Sequence, residues 1–259
     1  MADETFANTR RDGRLLIVEI NRPERMNALH PPANEMLAQT FDDFAADDDL
    51  WVAIITGAGD RAFSAGNDLR WQAEGYPITV PETGFAGLTA RYDLNKPVIA
   101  AVNGVAMGGG FEIALACDLI IASDTAKFAL PEPKVGLAAL AGGLHRLPRQ
   151  IGLKQAMGMI LTGRTVDAVE GARLGFVNEV VPAGELMDRA RAWADMILAC
   201  SPMSVRASKE AVTQGLEKAG YKEAFETMYP AVRAMLKSED MIEGPRAFAE
   251  KRKPNWAGR

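Results

Sequence analysis

Short apolar runs recur along this chain at 15–20 (LLIVEI), 51–56 (WVAIIT), 97–102 (PVIAAV), 118–122 (DLIIA) and 177–181 (VNEVV), with longer stretches between them. Runs of this length, rich in Val and Ile, read as buried strands. Residues 33–46 carry apolar side chains at helical spacing, so 15–56 reads strand, helix, strand, a crossover unit. The pattern recurs with a helix opening at 109–117 and a helical zone at 153–174. Such alternation specifies an α/β fold. From residue 182 onward the strand pattern stops, and helical spacing covers 183–199, 204–216, 221–236 and 242–251. The chain therefore divides into an α/β core, 1–199, and a helical C-terminal module, 200–259. Residues 74–84 (EGYPITVPETG) hold two prolines and two glycines without a period and read as a mobile loop.

A chain of 259 residues, 48% apolar, is long enough to bury a substantial core. Its net charge of -5 argues against a nucleic-acid or membrane-surface partner, which would need a basic face, so an anionic ligand must be met by local cations. Cys117 and Cys200 form neither a disulfide framework nor a ligand set, and read as buried thiols of a reducing cytoplasm. The opening MADETFANTRRDG lacks the apolar segment of a signal peptide, and nowhere do ~18 apolar residues run together. Both observations lead us to expect a soluble, cytoplasmic protein.

Two carboxylates stand alone in apolar surroundings. Glu112 follows a triple glycine in MGGGFEIALAC (107–117), and Glu132 lies between Pro131 and Pro133 in FALPEPKVG (128–136). An ionisable group in such company is expensive to bury unless it is paired, neutralised or used. Gly108, Gly109 and Gly110 could serve only as a tight turn. They also leave bare amide groups at a helix N-terminus, a site for negative charge or for an oxygen that becomes negative during reaction. Glu112 would then stand in the first turn of that helix, where the dipole favours its anion and burial opposes it. Pro-Glu-Pro by itself favours a surface turn, but the apolar flanks argue for a carboxylate presented from a stiff extended segment.

A second glycine loop, 57–69, opens with Gly57, Gly59 and Ala62 at the spacing of a dinucleotide fingerprint. That reading fails, because Gly66 falls where the helix should continue and no acidic residue closes a second strand ~20 residues later. Ser64 is not a nucleophile elbow, since Ala62 stands where the first glycine of G-x-S-x-G is required. His145, just after Gly142 and Gly143, reads as a helix or interface residue.

Taken in order, NRPERMNAL (21–29), RAFSAGNDL (61–69), KPVIAAVNGVAMGGGFEIALACDLIIAS (96–123), FALPEPKVG (128–136), GGLHRLPR (142–149) and AFAEKRKPNW (247–256) resemble signatures of the enoyl-CoA hydratase/isomerase (crotonase) superfamily over nearly the whole chain. The resemblance implies a spiral of β-β-α turns with a C-terminal helical trimerisation module, assembled as a homotrimer or homohexamer. It implies two oxyanion-hole amides on Asn67 and Gly109, holding the thioester carbonyl of an acyl-CoA and stabilising the enolate. It implies Glu112 as the base that activates a water and Glu132 as the acid that protonates the α-carbon, with roles reversed in dehydration. Coenzyme A, carried by the substrate rather than as a cofactor, would meet Arg25, Arg61, Ala65, Asp68, Leu69, Arg70 and Gly108, with Phe248 and Lys251 approaching from a neighbouring subunit. No metal is implied.

The chain departs from the short-chain hydratase pattern at 136–143, where Ala139 and Leu140 replace a proline and a glycine. The resemblance puts this loop at the acyl pocket. The 128–149 wording is also similar to carnitinyl-CoA dehydratases, which act on a cationic acyl group, yet no acidic side chain for that cation stands out. Hydration or the reverse dehydration is the leading expectation, because both glutamates are present. Double-bond isomerisation or C–C cleavage on the same fold is one alternative. A non-catalytic acyl-CoA- or RNA-binding relative is the other, against which the acidic charge and two intact carboxylates speak.

Overall fold

A computed structural model describes residues 5–259; the first four, part of the polar opening on which the expectation of no targeting segment rests, lie outside the described residues. The hairpin β1 (Ala7–Asp12) and β2 (Leu15–Ile20) leads through α1 (Pro31–Ala46) to three successive β-β-α turns. The first is β3 (Val52–Gly57), β4 (Ala62–Ser64) and α2 (Leu69–Ala73). The second is β5 (Val98–Val102), β6 (Val105–Met107) and α3 (Gly109–Ala116). The third is β7 (Leu119–Ser123), β8 (Lys127–Ala129) and α4 (Gly143–Gln150), followed by α5 (Leu153–Thr162), β9 (Val166–Asp167), α6 (Ala168–Leu174) and β10 (Glu179–Val181). The chain closes with α7 (Leu186–Leu198), α8 (Pro202–Gly215), α9 (Tyr221–Glu226), α10 (Pro230–Met235) and α11 (Glu239–Ala249).

Each turn gives one strand to each of two sheets, ordered β1-β2-β3-β5-β7-β10 and β4-β6-β8-β9. The turns stack in parallel, with Leu15 beside Val52, Ile54 beside Ile99 and Ile99 beside Leu119. The larger sheet is covered on both faces, which is why its strands read as unbroken apolar runs. Successive side chains alternate between the two faces. Leu16, Val18, Ile55, Ala100 and Ala122 meet Phe63, Ala106 and Phe128 of the smaller sheet in one cluster. Leu15, Ile17, Ile54, Ile99 and Ile121 pack instead on Leu186, Ala190 and Ala194 of α7. Phe111 of α3 joins Phe128 and Phe176 in a ring cluster with centroids 5.0–5.2 Å apart, a geometry worth about 0.5–1.5 kcal/mol per pair beyond the area buried.

The structure corrects several local expectations. The strand β1 emerges from the polar opening because antiparallel pairing with β2 forms it, although only Ala7 of its six residues is buried. The strands of the smaller sheet, two or three residues each, are too short to show a period. The helical zone 153–174 breaks at Gly163, φ +57, and restarts where the Asp167 carboxylate accepts the Glu170 N–H. The stretch 221–236 breaks before Pro230, which holds Tyr229 extended. Cys117 is buried as expected, whereas Cys200 is exposed. Residues 74–84 are irregular and mostly exposed. Among the described residues, no helix is long and apolar enough to cross a membrane.

Candidate active site

The three glycines ahead of Glu112 are each crowded by a different element. Gly108 has φ +53, a conformation that L side chains rarely adopt, and its N–H donates to Ala129 O at 2.9 Å. A Cβ on Gly108 would lie 2.9 Å from Glu132 Oε1, one on Gly109 would lie 2.6 Å from the Phe85 ring, and one on Gly110 would run into Ser64 O. Only bare backbone fits where the smaller sheet, the 84–89 segment and the Glu132 turn converge. The helix α3 starts at Gly109, so the Gly109 N–H is one of the first-turn donors that a helix leaves without an internal acceptor.

The Asn67 backbone is brought to the same place. Leu29 and Asn67 form an isolated parallel bridge, in which the Leu29 N–H donates to Gly66 O at 2.7 Å and the Asp68 N–H to Leu29 O at 2.9 Å. Those bonds use the groups on either side of Asn67, so its own N–H is directed away from Leu29. Gly66, at φ +87, lies so close to the triplet that a Cβ there would sit 2.8 Å from Gly109 N. The Asp68 carboxylate turns to the protein. It caps α2 by accepting the Arg70 and Trp71 N–H groups and pairs with the buried Arg22 at 3.0 Å. Asp68 thus holds the bend that carries Asn67.

Glu112 is buried, and its Oε1 accepts the Gly143 N–H at 2.8 Å. Burial, reinforced by the nearby Glu132 charge, outweighs the Gly143 hydrogen bond and the Arg146 charge, so its pKa is pushed up to about 7. Burial also raises Glu132 above the usual carboxylate range. Glu132 does not sit on an extended segment as expected. It opens a 3-10 turn, Glu132–Val135, because Pro131 and Pro133 fit a helical first turn, and its carbonyl accepts the Leu137 N–H at 3.0 Å. That turn aims one carboxyl oxygen at Gly108, while Oε2 is buried without a hydrogen-bond partner among the described residues. Two carboxyls that interact electrostatically therefore flank a pair of backbone amides.

The remaining candidates fall into four groups. Arg25, Arg61 and Ala65 lie on adjoining loops, tied by the Ala65 N–H to Met26 O at 2.9 Å and by Arg61 Nη2 to Pro23 O at 2.7 Å. Leu69 and Arg70 are exposed on α2, beyond Asn67. Ala139 is buried and Leu140 is 82% exposed in the segment before Gly143. Phe248 and Lys251 stand exposed at the end of α11, and no hydrogen bond or ion pair among the described residues ties them to the site. Ser64 donates its hydroxyl to Asn27 O at 2.8 Å, a structural use. No group of three His, Cys, Asp or Glu among the described residues is placed to hold a metal ion. Gly143 and Phe85 escaped the sequence reading. Gly143 had a signal, a second glycine pair before a helix, whereas Phe85 had none.

Residues 10–259 match the family model described as Enoyl-CoA hydratase/isomerase. Among curated proteins, the chain is similar to a carnitinyl-CoA dehydratase of Proteus mirabilis, 46% identical over 95% of this chain and 96% of that one. A carnitinyl-CoA dehydratase of Salmonella arizonae is 45% identical over 96% of this chain and 97% of its own. Among solved structures, enoyl-CoA hydratase from Mycobacterium tuberculosis H37Rv superposes with a TM-score of 0.93 at 39% identity, over 99% of this chain and 100% of that one. Carnitinyl-CoA hydratase from Mycobacterium avium gives 0.79 at 40% identity, over 99% and 100%.

Proposed function

This chain belongs to the enoyl-CoA hydratase/isomerase family, and on that premise we propose that it adds water across the trans-2 double bond of an enoyl-CoA thioester, or removes water in the reverse direction. The observation that carries this reading is the approach of both carboxyls to one glycine-lined helix start: Glu132 Oε1 lies against Gly108, and Glu112 is held on the first turn above it. The thioester oxygen sits between the Asn67 and Gly109 N–H groups. Glu112, ionised, takes a proton from water as the water oxygen attacks the β-carbon. The electron pair of the double bond moves onto the thioester oxygen, and the two amides stabilise the resulting enolate. Glu132, protonated, then delivers its proton to the α-carbon. Burial raises both carboxyls, and with Glu112 pushed up to about 7 its neutral and ionised forms are both accessible near neutral pH.

Coenzyme A arrives as part of the substrate, and Arg25, Arg61 and Arg70 on the exposed rim offer cations to its phosphates. Exposed Val212, Leu216, Tyr221, Phe225 and Phe248 on the C-terminal helices suit burial against further copies of the chain, as a trimer or a hexamer, which would also carry Phe248 and Lys251 to a neighbour's site. The curated relatives favour a second substrate for the same chemistry, a carnitinyl-CoA. Loss of enoyl absorbance with crotonyl-CoA and longer enoyl-CoAs, alongside dehydration of carnitinyl-CoA, separates the two. Turnover of the enoyl series supports the first, turnover of carnitinyl-CoA alone selects the second, and turnover of neither refutes the hydro-lyase reading.

A further inference from the structure

The Arg146 side chain, on the first turn of α4, lies behind Glu112 and has no part in the chemistry described above. Its Nη2 donates to Thr89 O at 2.9 Å. Its Nη1 packs against Gly142, where a Cβ would strike it. Gly142 is at φ +106 and ends the turn whose next residue, Gly143, donates to Glu112 Oε1 at 2.8 Å. Thr89 belongs to a tightly built segment. Its Oγ1 accepts the Phe85 N–H at 2.7 Å, and the Ala86 N–H donates to Asn34 Oδ1 at 2.8 Å. Ala86 there has φ +54, a conformation that a non-glycine residue keeps only when its surroundings enforce it. The Phe85 ring in turn lies against Gly109. A continuous chain of contacts thus runs from Gly109 through Phe85, Thr89, Arg146, Gly142 and Gly143 to Glu112.

We propose that Arg146 is a positioning residue for Glu112, tying the turn that grips this carboxyl to the segment that packs on Gly109, and setting a half-buried positive charge behind it. Charged groups facing Glu112 are Glu132 from the 131–136 turn and Arg146 from α4; those facing Arg146 are Glu112, the Tyr92 phenol and the Cys117 thiol at the end of α3. Arg149, on the same helix, is turned to His145 O. Arg146 is therefore the cation that favours the ionised form of Glu112. A lysine would keep the charge, but its single ammonium cannot span Thr89 O and Gly142 as the planar fork does.

The inference rests on the reading of Glu112 as the base, and its test separates the two. The pH dependence of kcat/KM on a turned-over enoyl-CoA is measured for the parent, Glu112→Gln, Arg146→Gln and Arg146→Lys. Arg146→Gln is expected to move the acid limb upward by about 0.5–1 pH unit, because loss of a nearby opposite charge raises a carboxyl. Arg146→Lys is expected to leave that limb in place while kcat falls about 10- to 100-fold at nearly unchanged KM, since the carboxyl is misplaced rather than recharged. A merely structural arginine would lower yield or melting temperature without moving the limb. If Glu112→Gln abolishes turnover while both Arg146 variants keep the parent's limb and kcat, the Arg146 role is overturned and the site stands. If Glu112→Gln turns over like the parent, the base assignment falls and this inference with it. Should Arg146→Gln not fold, Arg146→Lys decides alone, and a parent-like kcat overturns the role.

Discussion

The surroundings of Glu112 and Glu132 differ in ways that their residue type does not. Glu112 is built into the first turn of α3, 3% exposed, with one oxygen committed to the Gly143 N–H. Glu132 stands on a short 3-10 turn, less enclosed, with one oxygen beside Gly108 and the other buried without a partner among the described residues. A carboxyl gripped by a backbone donor is fixed in direction, and the hydrogen bond offsets only part of the burial that disfavours its anion. One with an idle oxygen has room for a proton or for a water. Packing, rather than the identity of the side chain, therefore gives the two carboxyls different surroundings.

The largest effect expected is that of Glu112→Gln and Glu132→Gln, each of which lowers kcat by ~10²- to 10⁴-fold as a lost acid–base group. Turnover assays that find only one of them needed would break the symmetry of the pair and point to isomerisation. A smaller loss, ~10- to 100-fold in kcat, is expected of Gly143→Ala, because its Cβ would stand 3.0 Å from Glu112 Oε1 and 3.1 Å from the Ala139 Cβ and displace the carboxyl. Steady-state kinetics with unchanged kcat would show that the grip on Glu112 is dispensable.

Stability responds to the same burial in the opposite direction. A carboxyl raised from its ordinary 4.5 to about 7 on folding binds its proton more tightly in the folded state. The folded state therefore loses stability as pH rises through that window, and the loss is complete above it. Glu112→Gln should then stabilise the protein at pH 8 by up to about 3 kcal/mol and change little at pH 4. Urea melts at the two pH values check this, and equal shifts at both would mean that burial of the anion is not what costs stability. The smallest effect is reserved for Leu140→Ala. An exposed side chain changes stability by no more than about 0.5 kcal/mol, so its influence should appear only as a change in KM across acyl-chain lengths.

Much of this site was legible in the sequence, for identifiable reasons. Glu112 and the glycine triplet announce themselves because a charge in an apolar helix start and three side-chain-free residues are local signals. The apolar runs of the larger sheet were readable because burial on both faces leaves no polar alternation to obscure them. What escaped depends on contacts across the chain. The turn at Glu132 departs from the sequence pattern because a residue before proline ordinarily prefers extended backbone, whereas here the helical first turn prevails. Strand β1 is created by its partner rather than by its own residues. Phe85 gains its place against Gly109 through Asn34, 52 positions from the amide it holds, and no nearby pattern foretells it.

Carbon-13 titration of the glutamate carboxyls, with the Glu112 and Glu132 signals assigned by their Gln variants, reads the electrostatics of the pair. Glu112 is expected to titrate near pH 7 and to move downward when Glu132 is made neutral, and Glu132 is expected to lie above the ordinary carboxylate range. Both signals titrating independently near pH 4, like glutamates in water, would contradict that expectation.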